Sequence, residues 1–173
     1  MATALEDVRV LRAAGEVADA LWRLVLGWED FERDVVGRQL ARAADSVGAN
    51  VAEACGRYHY GEKVHFLYYA RGSLFETKYW LNRSQARGLV DAATAANYGE
   101  TFDHLARQLN AFAASLKAQR RHEGDTKTAQ EPAPTYQSPE RPLFGEEDLL
   151  WLQSTTSTPK PPRANLQSPI SNL

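Results

Sequence analysis

At 173 residues and 19.3 kDa, the chain fits one domain of ordinary size, or a smaller one with an appendage. It carries 20 basic and 22 acidic residues, a formal charge of −2, and its pI near 6.1 argues against a generic polyanion binder. A single cysteine, Cys55, excludes an intrachain disulfide framework and a cysteine-based zinc site.

The composition is uneven along the chain. All eight prolines lie beyond residue 131, and the first 123 residues balance 16 basic against 16 acidic side chains. Proline costs a helix interior about 3 kcal/mol, so a long proline-free stretch points to helices. No apolar run approaches the roughly 18 residues that cross a bilayer. Glu6 and Asp7 make the N-terminus acidic, unlike a signal peptide. A cytoplasmic protein without membrane contact is expected.

Residues 1–123 predict an all-α, antiparallel up-down-up-down four-helix bundle. Val10, Ala14, Val17, Leu21 and Leu24 step by four and three, the spacing of one helical face. A break follows at Gly27–Asp30, with Asp30 as the expected N-cap. Val36, Leu40, Ala43, Val47, Val51 and Ala54 repeat the stepping, and Gly56–Gly61 punctuates that helix.

The third helix, expected over residues 62–86, carries two stripes. Leu67, Ala70, Leu74 and Leu81 form one; Tyr68, Phe75 and Tyr79, with Trp80 beside them and Gly72 between, form the other. A bundle helix needs one apolar stripe, so the second predicts a self-association interface through Tyr68, Phe75, Tyr79 and Trp80. Residues 87–91 read as a turn in which Asp91 caps a fourth helix. There Tyr98, Phe102, Leu105, Leu109, Phe112 and Leu116 hold the core spacing, and Lys117, Arg120 and Arg121 suit its C-terminal dipole.

Residues 124–173 are rich in Pro, Ser, Thr, Gln and Asn, and read as a disordered tail that adds nothing to bundle stability. One exception is the run 143–152. Its acidic residues precede Leu149, Leu150, Trp151 and Leu152, a candidate short helix for docking on a partner protein.

No catalytic set emerges. Glu62 and His65 have di-iron spacing, but the nearest second candidate, Glu100 with His104, is spaced wrongly, so no metal or other cofactor is expected. Gly56–Gly61 lacks the Gly-Lys-Ser/Thr ending of a phosphate loop. Cys55 and His59 lack a third orienting group. Among polar positions on the second helix, Arg38 and Arg42 offer a surface for phosphates or a neighbouring subunit, with Arg120 and Arg121 as further candidates.

Two stretches carry a resemblance. Gln39 to Arg57, with Gln39, Ser46, Asn50, Glu53, Gly56 and Arg57 in place, and Phe66 to Glu76, with Arg71, Gly72, Ser73 and Glu76, resemble the two motifs of the four-helix-bundle proteins encoded in intervening sequences of bacterial 23S ribosomal RNA genes. The likeness runs from about residue 5 to 121; Ala54 stands where the family usually has glycine. It implies a ring, typically a homopentamer, with the motif's polar residues knitting helices or subunits together.

A related branch, the accessory variability determinant of diversity-generating retroelements, binds nucleic acid and a reverse transcriptase. Unlike this chain it is strongly basic. The expectation is therefore a non-enzymatic, ring-forming adaptor for structured RNA or DNA, or for a reverse transcriptase. The alternative is a protein-interaction scaffold that presents its tail to a partner protein.

Overall fold

A computed structural model describes residues 9–124 and 142–154, with the backbone alone described at 121–124. The described residues are all-α, with no strand among them. Helix α1 spans Arg9–Leu26. Next comes a run without interruption: one turn, α2 (Asp30–Glu32), a π-helical segment (Arg33–Gly37) and α3 (Arg38–Gly56). Two long helices follow, α4 (Tyr60–Ala86) and α5 (Ala92–Gly124), and a short one, α6 (Glu146–Gln153).

The core follows the predicted stripes closely. From α1 it takes Val10, Ala14, Val17 and Leu21, but then Val25 in place of Leu24, which is only half-buried. From α3 come Leu40, Val47, Val51 and Ala54; from α4 Leu67, Ala70, Leu74 and Leu81; from α5 Phe102, Leu105 and Leu109. Each fully buried aliphatic or aromatic side chain contributes about 1.5–3 kcal/mol, so this shared core holds the four helices together.

The π-helical segment was not legible in the sequence. It ends against α1: a Cβ at Gly37 would sit 2.5 Å from the Val25 side chain and 3.5 Å from Trp28. Only glycine admits that contact. Asp30 does not cap: extended backbone at Glu29 makes that residue the N-cap, and the Asp30 carboxylate pairs instead with Arg33. The Asp91 cap is present, with its carboxylate accepting hydrogen bonds from the Thr94 amide and hydroxyl, both at 2.8 Å. Gly88 ends the preceding turn with φ of 76°, and Leu89 N–H returns to the Ser84 carbonyl at 3.0 Å, which closes the C-terminus of α4.

The largest departure from expectation lies beyond α5. Residues 142–154 pack on the bundle, and Leu143, Phe144, Leu149 and Leu152 are all buried. The surface receiving Leu149 and Leu152 belongs to the chain itself, whereas the sequence pattern pointed to a partner protein; Leu150 and Trp151 stay exposed. The physical reason is Phe75 in the second stripe of α4, whose ring packs against Phe144 and Trp151. The other tail residues, 125–141 and 155–173, for which disorder was expected, fall outside the described residues.

A tail that buries four apolar side chains stabilises the bundle, contrary to composition. Deleting residues 142–173 lowers the melting temperature by roughly 3–6 °C in far-UV circular dichroism, after part of the burial is offset by chain ordering. An unchanged melting temperature would mean that α6 contributes no net stability.

Candidate functional site

Three polar or aromatic surfaces merit comparison with the predicted sites. The first is the arginine face. Arg38 is exposed and donates to Asp34 at 3.1 Å. Arg42, also exposed, donates to Gln39 Oε1 at 2.7 Å and lies 3.7 Å from the Glu76 carboxylate of α4. Both guanidinium groups therefore face carboxylates, and the face is charge-compensated. Arg120 is elsewhere: its guanidinium stacks 5.0 Å from the ring centroid of Tyr60, at the start of α4. Arg42 lies fourteen residues from the end of α3 at Gly56, roughly 21 Å of helix from the neighbourhood of Tyr60. The three arginines with described side chains, Arg38, Arg42 and Arg120, do not form one patch; the Arg121 side chain lies outside the described residues.

The second surface is the seam between α3 and α4, where the motif residues gather. Asn50 Nδ2 donates to the Ser46 carbonyl at 2.8 Å and to Ser73 Oγ across the seam at 3.3 Å. Ser46 Oγ returns to the Arg42 carbonyl at 2.8 Å. Arg57 pairs with Glu53 and lies 4.7 Å over the Phe66 ring on α4. Glu76 also accepts a long contact, 3.4 Å, from the Trp80 indole. Gly72 is exposed, and a Cβ there would meet nothing within 4 Å, so no close backbone approach within the subunit explains it.

The third is the groove between α4 and α5 that seats residues 142–154. On the α5 wall, Asn110 holds the Phe144 backbone at both ends, donating to its carbonyl at 3.0 Å and accepting its N–H at 2.9 Å. Gly99 lies under the far end of α6, where a Cβ would come within 2.9 Å of the Gln153 carbonyl oxygen and 3.1 Å of that of Leu152. On the α4 wall, Arg71 donates to Asp148 Oδ2 at 2.9 Å, and Lys78 donates to the Ser154 carbonyl. Asp148 also accepts the Gly145 N–H at 2.9 Å, capping α6. Burial alone would raise the Asp148 pKa, but the Arg71 and Gly145 hydrogen bonds and the Arg71 charge outweigh it and hold the carboxyl low.

This groove takes Phe75 out of the predicted self-association surface. Phe75 is packed at 5.6 Å against Phe144 and 5.4 Å against Trp151, and Arg71 lies 4.5 Å over its face. Tyr68 and Trp80 pack partly against the core, which leaves Tyr79 as the exposed member of the stripe. The cover comes from the same chain. Between α4 and α6 there remains an open pocket of about 520 Å³, lined by Phe75, Glu76, Tyr79, Asp148 and Trp151.

Two observations on the described residues bear on the earlier candidates. No cluster of three or more His, Cys, Asp or Glu side chains is placed to hold a metal among them. Burial pushes the Cys55 thiol up, away from the thiolate that a nucleophile needs. No helix among them is long and apolar enough to cross a membrane.

Lys78 is the unforeseen residue of this site. It is fully buried, and burial lowers its pKa to about 8. The only hint in the sequence was its place one turn from Leu74 and Leu81, on the core side of α4. Because the unfolded chain binds this proton up to a higher pH, it holds more protons than the native state between about pH 8 and 10. Stability from this residue therefore rises across that window, while the neutral amine still donates to Ser154. Melting temperatures taken from pH 7 to 10 rise in the wild type relative to Lys78→Met, and the difference is confined to the upper part of that range.

A search of curated proteins returns no significant match. The model of the 23S rRNA-intervening sequence protein family matches residues 6–111, which take in the seam, Phe75 and the groove residues Arg71, Lys78, Gly99 and Asn110, but not α6. That match covers more than half of the chain and both motif stretches, so the chain belongs to the 23S rRNA-intervening sequence protein family.

Proposed function

We propose that this chain is a non-enzymatic scaffold that assembles with copies of itself into a ring. The observation that carries this reading is the apolar surface at the α1–α2 corner. Trp22 (53% exposed) and Leu26 (54%) lie one turn apart on α1, and Phe31 (74%) and Val35 (49%) lie one turn apart just beyond the connecting turn. Four large exposed apolar side chains within fourteen residues favour an interaction surface. Tyr79 adds a further exposed ring on α4.

The helix pairings support an antiparallel four-helix arrangement as the building block. Gly37 meets Val25 and Gly48 meets Ala14, while Arg42 meets Glu76 and Asn50 meets Ser73; in each pair of helices one register rises as the other falls. A homopentamer is the oligomer that the family resemblance implies. Trp22→Glu with Phe31→Glu lowers the particle mass in light scattering while helicity is retained. A wild-type protein already monomeric at high concentration would overturn the scaffold.

A second reading, an adaptor for structured RNA or DNA, or for a reverse transcriptase in the manner of the related branch, draws on Arg38 and Arg42. Their side chains are 75% and 70% exposed, and exposed ion pairs are worth at most about 1 kcal/mol, so phosphate oxygens compete readily with Asp34 and Glu76. Fluorescence anisotropy against structured RNA and duplex DNA across a salt series tests it. Steep salt dependence lost in Arg38→Ala/Arg42→Ala supports the adaptor, and absence of binding at low salt retires it.

A further inference from the structure

Residues 142–154 are held as a peptide ligand is held. The apolar anchors Leu143, Phe144, Leu149 and Leu152 are buried. Polar groups read the segment's backbone at both ends, Asn110 at Phe144 and Lys78 at Ser154. Arg71 selects the carboxylate of Asp148 in the middle, and Gly99 clears space for the last turn. Backbone reading plus spaced side-chain anchors is the logic of a peptide-recognition groove.

The groove and its occupant are separable parts of the chain. Arg71, Phe75, Lys78, Gly99 and Asn110 lie inside the family-matched stretch, which ends at residue 111, and the occupant lies outside it. Between Gly124 and Pro142 stand residues 125–141, about 17 residues with a maximum reach of roughly 60 Å. The return along α5 from Gly124 to Asn110 needs only about 21 Å. The tether is thus longer than its own groove requires, and reaches any second groove within roughly 60 Å of Gly124.

We propose that the α4–α5 groove is a recognition site for an acidic, Leu/Phe-anchored short helix, and that a second copy of the chain supplies its residues 142–154 to it in trans. Within one chain the tether keeps the local concentration of the segment high, so docking in cis prevails until copies are held close or the cis segment is lost. Exchange then links copies by domain swapping, with the same contacts on both sides. This linkage is independent of the α1–α2 corner: a particle mass unaffected by Trp22→Glu/Phe31→Glu would remove the scaffold and leave the exchange standing.

Complementation between two full-length variants tests it. Gly99→Leu blocks the groove and leaves the segment intact; Leu152→Asp spoils the segment and leaves the groove intact. Hydrogen exchange on each variant alone shows α6 amides at least about tenfold less protected than in the wild type, while α1 to α5 lose only what the lower bundle stability implies. Mixed one to one at about 50 μM (about fifty-fold above a micromolar exchange constant), the intact segments recover protection in about half of the α6 population; with Trp22→Glu/Phe31→Glu in both chains to silence the α1–α2 corner, a species of twice the single-variant mass appears. If Gly99→Leu disturbs the bundle, Gly99→Ala replaces it, since its Cβ already collides with the Gln153 and Leu152 carbonyls. A mixture that stays unprotected and unassociated overturns docking in trans. Protection of α6 that survives both Gly99 substitutions overturns the groove as its seat.

Discussion

Helix α4 must bury two faces at once, and much of the described structure follows from that demand. One face, Leu67, Ala70, Leu74 and Leu81, enters the common core. Another carries Phe75 and, nearby, the aliphatic stem of Lys78, too apolar to leave in water. The core stripes of the remaining helices are already packed together, and none of them covers Phe75. The chain meets the demand with a segment from beyond α5, brought back across some seventy positions of sequence.

Lys78 shows what such a cover costs. A buried ammonium loses its hydration, and its lowered pKa records that loss. A carbonyl at the C-terminal end of α6 is a fitting partner, since the helix dipole places partial negative charge there. Arg71 and Asp148 make the matching contact near the start of α6, where a carboxylate also caps the helix. The short helix is thereby held at both ends by charge and between them by leucines, an arrangement that a few apolar contacts alone would not orient.

The seam between α3 and α4 works differently. Its polar residues cross-link two helices that already share a core, through Asn50 with Ser73 and Arg42 with Glu76. Because these side chains are partly exposed, each contact is worth little by itself. Their effect is on register, as two polar pairs at separate heights disfavour a slide of one helix along the other. The same pairing leaves Arg42 less available as a free cation than its place on the helix surface implied.

Periodicity is a local property, and it was enough to show where the long helices run, which residues line their core and where Asp91 caps. It was also enough to reveal that α4 had one apolar face too many. What covers that face is a matter of pairing between distant segments: the local pattern marked the run 143–152 as a docking helix, but not its seat, since its anchors have value only against Asn110, Gly99 and Phe75. The π-helical segment at Arg33–Gly37 left no signal in the apolar spacing either, although its last residue, Gly37, packs against Val25 of another helix. Sequence alone determined the helices and their inward faces through the spacing of apolar residues; tertiary structure decided which outward faces stay open, because burial depends on what arrives from elsewhere in the chain.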